Sequence, residues 1–370
     1  MVTISLCMIV KNEEAVLGRC LDCVKDVVDE IIIVDTGSTD STKNIAGQYT
    51  SRIYDFPWQD DFSAARNASF SHATQDYILW LDADDILEPE QAIKLQRLKE
   101  TLPSDTDVVM MRYHTAFDSQ NRPTYSYFRE RLLRNHAGFR WVGAVHEAIP
   151  TKGNIRYEEI AVSHRKLAQP DSMRNLRIFE KMLRQPKGLD TRQQFYYGRE
   201  LCFHEQYERA AQVLGAFLEQ PDAWVENKIE ACRLLSTCRR AAGQPRQALM
   251  HLFQSFLYDT PRAEICCAIG SHFFEDSQWE PAAFWYSTAL TCTRRDLQGG
   301  FIQEDCYGYL PCLQLCVCYD RMGQWKRAAQ YNEQAAAYKP GDPLVEQNRL
   351  YFCSRLNSQV TATDSAGGER

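Results

Sequence analysis

The stretch Tyr77-Ile78-Leu79-Trp80-Leu81-Asp82-Ala83-Asp84-Asp85 constrains this chain more than any other. Tyr77 to Leu81 is too short an apolar run for an amphipathic helix and predicts a strand buried on both faces. The run ends directly in three carboxylates within four residues. Carboxylates this close repel one another, so a cation is expected to offset them. Hard oxygen ligands two residues apart suit Mg²⁺ or Mn²⁺ shared with a phosphate-bearing ligand. The competing reading is a helix cap, with Asp84 or Asp85 opening a helix over Glu90–Thr101.

The residues before this stretch place it in a sheet. Thr3–Val10 is rich in β-branched residues and predicts a first strand that ends at Lys11-Asn12-Glu13-Glu14. A helix over Ala15–Val24, a strand over Glu30–Val34 and a helix over Thr42–Tyr49 follow. Strand, helix, strand, helix is the pattern of a doubly wound parallel sheet, in which ligands sit beyond the carboxyl ends of the strands. Asn12 with Glu14, then Asp35, then Asp82 with Asp84 fall at such ends and are expected to converge. No Gly-x-Gly-x-x-Gly follows the first strand and no Walker lysine is present, so neither a dehydrogenase nor a P-loop site is expected.

Four motifs in this order resemble family 2 glycosyltransferases of the GT-A fold: Val10-Lys11-Asn12-Glu13-Glu14; Ile33-Val34-Asp35-Thr36-Gly37-Ser38-Thr39-Asp40-Ser41-Thr42; Asp61-Phe62-Ser63-Ala64-Ala65-Arg66-Asn67; and Leu81-Asp82-Ala83-Asp84-Asp85. The resemblance implies a Rossmann-like α/β domain over about residues 1–170. It implies a nucleotide-diphosphate sugar donor, most often a UDP-sugar, and inversion at the anomeric carbon. By the same resemblance Val10, Glu14 and Asp35 line base and ribose, Arg66 lies near the nucleotide, Asp82 approaches the ribose, and Asp84 is the principal metal ligand.

Val108–Tyr113 predicts a further strand, and Arg129–Asn135 a basic edge strand, with Arg131 the arginine expected near donor phosphate or acceptor. The segment Phe139–Ile149 carries Gly143, which permits close backbone approach, and then the titratable pair His146-Glu147. An inverting transfer needs one base for the acceptor proton, and Glu147 is the candidate. It resembles the His-Glu of relatives that carry a helical-repeat tail. Ile160–His164 predicts a closing strand; the resemblance implies His164 as a metal ligand, in the role of the third ligand that a late histidine supplies in many members of this fold.

After Pro170 strand-like runs stop. Gln206-Tyr207-Glu208-Arg209-Ala210, Gln244-Pro245-Arg246-Gln247-Ala248, Gln278-Trp279-Glu280-Pro281-Ala282 and Gln324-Trp325-Lys326-Arg327-Ala328 superimpose at spacings near the roughly 34-residue period of tetratricopeptide arrays. An all-α, tetratricopeptide-like domain is expected over 171–353, and a disordered tail over 354–370. Stacked helix pairs present a groove, which predicts docking of a peptide or protein acceptor, or of a second copy of the chain as a homodimer. The order of the two domains resembles that of sublancin-type peptide S-glycosyltransferases, which favours a polypeptide Cys, Ser or Thr as acceptor.

A formal net charge of −7 without a long basic run argues against binding nucleic acid by bulk charge. No run approaches the length of a membrane span, and a cytoplasmic protein is expected. The fourteen cysteines lie mostly in apolar periodic segments and are expected as buried free thiols. The combined expectation is a metal-dependent inverting hexosyltransferase using Mn²⁺ or Mg²⁺. The alternatives are a transferase building cell-surface glycan or lipid-linked sugar, and a non-catalytic adaptor with a degenerate nucleotide-binding domain.

Overall fold

The computed structural model describes residues 1–167 and 171–366, with 356–366 described by their backbone alone. It divides into two compact units, Met1–Leu201 and Cys202–Arg370.

The first unit is built on a mixed sheet. Its strands are β1 (Ile4–Val10), β2 (Glu30–Asp35), β3 (Ile53–Asp55), β4 (Tyr77–Trp80), β5 (Asp85–Ile86), β6 (Val108–Phe117), β7 (Pro123–Arg134) and β8 (Ile155–His164), in the spatial order β3-β2-β1-β4-β7-β6-β8-β5. The β3, β2, β1 and β4 strands run parallel, and β7 is antiparallel to both β4 and β6. Helices α1 (Leu17–Val24), α2 (Thr42–Ala46), α3 (Phe62–Ser71) and α4 (Pro89–Thr101) connect the strands, and α5 (Arg174–Leu183) and α6 (Thr191–Phe203) follow them.

Alternation along the strands shows why the apolar runs are continuous. In β4, Tyr77 and Leu79 join one hydrophobic cluster with Leu6, Met8 and Leu17, while Ile78 and Trp80 join a second with Cys7, Phe70 and Trp141. Successive side chains of a strand point to opposite faces, so a strand covered on both faces must be apolar at every position. Each fully buried Leu here contributes about 1.5–3 kcal/mol.

The basic strand differs from expectation. β7 lies between β4 and β6, not at an edge, and Arg131 within it is fully buried. The guanidinium is tolerated because it is stacked 3.8 Å from the Trp80 ring and 4.2 Å from the Tyr113 ring and paired with Asp85 at 2.9 Å. The helix-cap reading of the acids also fails: Glu88 holds the N-cap position of α4, without a side-chain capping hydrogen bond, and neither Asp84 nor Asp85 occupies it.

The second unit is helical: α7 (Tyr207–Leu218), α8 (Val225–Ala241), α9 (Pro245–Gln254), α10 (Ala263–Glu275), α11 (Trp279–Ala289), α12 (Tyr309–Arg321), α13 (Trp325–Tyr338) and α14 (Pro343–Ala366). α8 packs on α9, α10 on α11 and α12 on α13. The four superimposed segments each begin a second helix, and their alanines Ala210, Ala248, Ala282 and Ala328 are all fully buried. Before each segment the chain turns through one left-handed residue: Glu205 (φ 57°), Gly243 (φ 68°), Ser277 (φ 57°) and Gly323 (φ 73°). The following glutamine N–H then closes the last turn in three of them, Gln244 on Arg239 O, Gln278 on Phe273 O and Gln324 on Tyr319 O.

Two boundaries depart from the sequence reading. The division between units falls within α6 rather than at residue 170, which itself lies outside the described residues. α14 continues through Ala366, where a disordered tail from residue 354 was expected. Beyond Pro343 no glycine or proline interrupts the chain before Gly367, so nothing local ends the helix sooner. Residues 367–370 lie outside the described residues.

Candidate active site

At the carboxyl ends of β1, β2 and β4 lies a cavity of about 390 Å³ whose wall includes Val10, Glu13, Arg66, Asp82, Asp84 and Glu147. Further contributors are Tyr113 from β6, Arg129 from β7, and His164, where β8 ends. The sheet therefore brings together residues far apart in sequence.

The acids are ordered by the turn after β4. The Asp82 N–H donates to Asp85 Oδ2 at 3.0 Å, and the Asp85 N–H donates to Asp82 O at 3.0 Å. Asp85 is then the antiparallel register partner of His164 across β5 and β8. That pairing puts His164 Nδ1 at 3.3 Å from Asp85 Oδ1 and 3.2 Å from Asp84 Oδ1. The Tyr113 hydroxyl lies 3.0 Å from the same nitrogen. Burial would lower the His164 pKa, but the carboxylates of Asp84 and Asp85 outweigh it and raise it to about 10.

The donor set fits a hard divalent cation. One ligand atom each from Asp82, Asp85 and His164 lies within 4.8 Å of the other two, and carboxylate oxygens with an imidazole nitrogen suit Mn²⁺ or Mg²⁺. Asp85 was missed at the sequence level. It is fully buried, and its Oδ2 is engaged by Arg131, which turns Oδ1 toward His164.

The motif around Arg66 acts as a brace. Asp61 caps α3 by accepting from the Ala64 N–H at 3.0 Å. Asn67 exchanges two hydrogen bonds with the backbone of Trp141, both at 2.9 Å, fixing the segment that leads to Glu147. Between them Arg66 donates to Asp82 Oδ1 at 2.7 Å and to Glu147 Oε1 at 2.6 Å, with its guanidinium against the rings of Trp80 and Trp141. Burial would raise Asp82, yet Arg66 and Arg131 hold its carboxyl well below the usual carboxylate range.

His146 sits beside Glu147 with a left-handed backbone, φ 50°. Its ring stacks on Tyr196 with centroids 4.4 Å apart, and its Nε2 lies 2.6 Å from Glu200 Oε1. α6 thereby fixes the loop that presents Glu147.

The remaining sequence candidates occupy other places. Asp35 is buried at the end of β2, and its Oδ2 accepts from the N–H groups of Gly37 at 3.0 Å and Ser38 at 2.9 Å. Its Oδ1 is buried with no hydrogen-bond partner among the described residues. Glu14 is exposed and accepts from the Ser41 N–H, tying two loops together, while its neighbour Glu13 enters the cavity wall. Burial and the charges of Asp84 and Asp82 push the Glu13 carboxyl up to about 7. Arg131 stands behind Asp85, and Arg129 is the β7 arginine on the cavity wall. Two residues apart, they share one face of the strand, both beside Trp80, and differ in depth: Arg131 is fully buried and Arg129 is not.

The sequence model for "Glycosyl transferase family 2" matches residues 5–158. The chain is 30% identical over 236 residues to the SPbeta prophage-derived glycosyltransferase SunS of Bacillus subtilis, covering 57% of this chain and 52% of SunS. It is 41% identical over 149 residues to a TPR repeat-containing protein of Synechococcus elongatus, covering 40% of this chain and 36% of that one. The chain thus spans about half or less of the length of these relatives. A solved structure of glucosyl-3-phosphoglycerate synthase from Mycobacterium tuberculosis, in complex with Mg²⁺ and UDP, is similar at 25% identity with a TM-score of 0.27, over 30% of this chain and 44% of that one. Residues 5–158, which carry Asp82, Asp84 and Asp85 at a strand end, are thus similar to glycosyl transferase family 2.

Proposed function

We propose that this chain is a metal-dependent inverting glycosyltransferase that moves a sugar from a nucleotide-diphosphate sugar, a UDP-sugar, to a Cys, Ser or Thr side chain of a peptide or protein. The observation that carries the reading is one cavity holding both an Asp/His cation site and a separate carboxylate, Glu147, pinned through one oxygen by Arg66.

Val10 and Asp35 are the residues for base and ribose. The orphaned Oδ1 of Asp35 is an acceptor suited to an N–H of the base. Glu14 acts at one remove, by holding the loop beside Asp35. Asp82 is assigned to the ribose, with Arg66 setting its orientation. Asp84 and His164 would hold Mn²⁺ or Mg²⁺, with Asp82 and Asp85, whose ligand atoms cluster with that of His164, able to share the same ion. When bound, the ion supplies Lewis-acid stabilisation of the departing diphosphate, a contribution of several kcal/mol. Arg131 lies too deep to reach a phosphate and acts by fixing Asp85.

Glu147 takes the proton from the acceptor heteroatom as that atom bonds to the anomeric carbon. The bond from that carbon to the diphosphate oxygen breaks, the electron pair leaves with the diphosphate, and attack from the opposite face inverts the centre. A thiol acceptor demands less of Glu147 than a hydroxyl, because its ordinary pKa lies nearer neutrality. The peptide acceptor rests on the domain order and on the stacked helical hairpins, whose family of arrays offers grooves.

The test is turnover of a panel of UDP-sugars with Mn²⁺ or Mg²⁺, with and without chelator, using the host's peptides as acceptors and mass spectrometry as readout. Chelator-sensitive hexosylated peptides are expected. Transfer only to glycan or lipid-linked acceptors would move the acceptor assignment. Binding of a UDP-sugar without hydrolysis or transfer under any metal would leave a non-catalytic adaptor.

A further inference from the structure

The family match ends at residue 158, but the cavity does not. Arg174 and Asn175, on the first turn of α5, belong to its wall together with Asp84 and Glu147. α5 and α6 are locked to that wall: Asn175 Nδ2 donates to Glu200 Oε1 at 3.0 Å, the oxygen that also holds His146, and Arg192 donates to the backbone carbonyl of His146 at 3.1 Å. Arg174 itself packs its guanidinium 4.6 Å from the centre of the Phe62 ring.

We infer that Arg174 is a binding residue of this cavity that holds a phosphate of the nucleotide-diphosphate donor, an assignment that rests on the transferase reading above. The other positive groups deep in the wall are already engaged. Arg66 is shared by Asp82 and Glu147, Arg129 by the two oxygens of Glu130, and His164 by Asp84 and Asp85. Arg174 differs, because its Nε is buried with no hydrogen-bond partner among the described residues. A guanidinium cannot shed its proton to escape that cost, so a buried, unused N–H marks a place for an acceptor. Phosphate suits the vacancy by geometry as well as charge, since adjacent guanidinium N–H groups match two oxygens of one phosphoryl group. The exposed Lys11 and Lys166 also line the cavity, but Arg174 is the less exposed cation there and faces the acids Glu13, Asp84 and Glu147. Burial also holds the Arg174 guanidinium below its ordinary pKa despite the surrounding carboxylates Asp171, Glu147, Glu13 and Glu200. A phosphate contact would relieve that.

The experiment is calorimetry of the full chain with UDP, inorganic pyrophosphate and uridine, each with Mn²⁺, for wild type, Arg174→Gln and Arg174→Lys. Arg177→Gln, an exposed position on the same helix, is the control. Arg174→Gln is expected to weaken UDP and pyrophosphate at least tenfold and to leave uridine within twofold. Arg174→Lys is expected to recover part of the loss, as a point charge without the planar fork. Unchanged melting temperatures establish that the variants fold. Unchanged UDP affinity in Arg174→Gln, or equal weakening of UDP and uridine, overturns the assignment while leaving the transferase reading intact. Wild type that binds no UDP with any metal removes both.

Discussion

Arg66 carries one positive charge between two carboxylates, and the cavity's behaviour follows from that imbalance. It is buried, flanked by Trp80 and Trp141, and pairs with Asp82 and Glu147. Removing one partner of a buried ionic group strands the others, so Arg66→Met should cost about 3–5 kcal/mol in denaturant unfolding. The double variant Arg66→Met with Glu147→Gln should recover part of that loss; strict additivity would show that the two do not interact. Glu147→Gln alone should lower transfer about 10²–10⁴-fold while UDP binding is kept, as expected for a general base. A second buried acid gives a pH prediction away from this site. Burial raises Glu264 above the ordinary carboxylate value, with Glu230 adding to it and Tyr307 and the Gln303 N–H opposing it. Its folded pKa thus exceeds its unfolded one, so the protein loses stability as pH climbs through the folded value. Gln resembles the protonated form, and Glu264→Gln should therefore be the more stable protein at pH 8, with the difference closing toward pH 4 in urea unfolding. At this scale the sequence was a partial guide. Asp82, Asp84, Glu147 and His164, named from the sequence, line one cavity, whereas Glu13 and Arg129 line it in place of the expected Glu14 and Arg131. The first choice depends on which way a residue faces, the second on depth along one strand face. Asn12, left-handed at φ 54°, turns the chain just before the glutamates, a conformation that spacing alone does not reveal.

Register does at the level of elements what no single motif could announce. Asp85 was visible in the sequence, but its pairing with His164 exists only because β5 and β8 run antiparallel in that register. A one-residue slip would send His164 to the other face. The parallel half of the sheet was readable from its continuous apolar runs, whereas the place of β7 between β4 and β6 was not, because its arginines suggested an edge. In the helical unit the repeat was legible through its buried alanines, and the structure adds the turn that precedes them. Left-handed backbone costs a non-glycine residue about 1–2 kcal/mol, and Ser277 occupies a position held by glycine in two of the other turns. Ser277→Gly should therefore raise stability by up to about 1 kcal/mol once glycine's own chain entropy is subtracted, and Gly323→Val should lower it by at least as much. Both are measured by urea unfolding. No change at either site would mean that the turn is not strained for side chains.

At the level of the molecule the composition change near Pro170 and the structural division at Leu201/Cys202 mark different things. Strand-forming sequence ends at the first, but the helices that follow it, α5 and α6, still belong to the unit containing the cavity. They carry Arg174 and Asn175 into its wall and hold His146 through Glu200. None of the described helices is long and apolar enough to cross a membrane. Two truncations separate the roles. A chain ending at residue 167 removes both helices, and with them the fully buried Phe179 and Phe195, uncovering whatever those side chains pack on and leaving His146 without Tyr196 and Glu200. It should bind UDP with Mn²⁺ at least tenfold more weakly and melt lower. A chain ending at Phe203 keeps these contacts and should retain UDP binding and slow donor hydrolysis, while losing transfer to polypeptide if the helical hairpins present the acceptor. Peptide transfer at full rate by the chain ending at Phe203 would instead place acceptor recognition within the first unit.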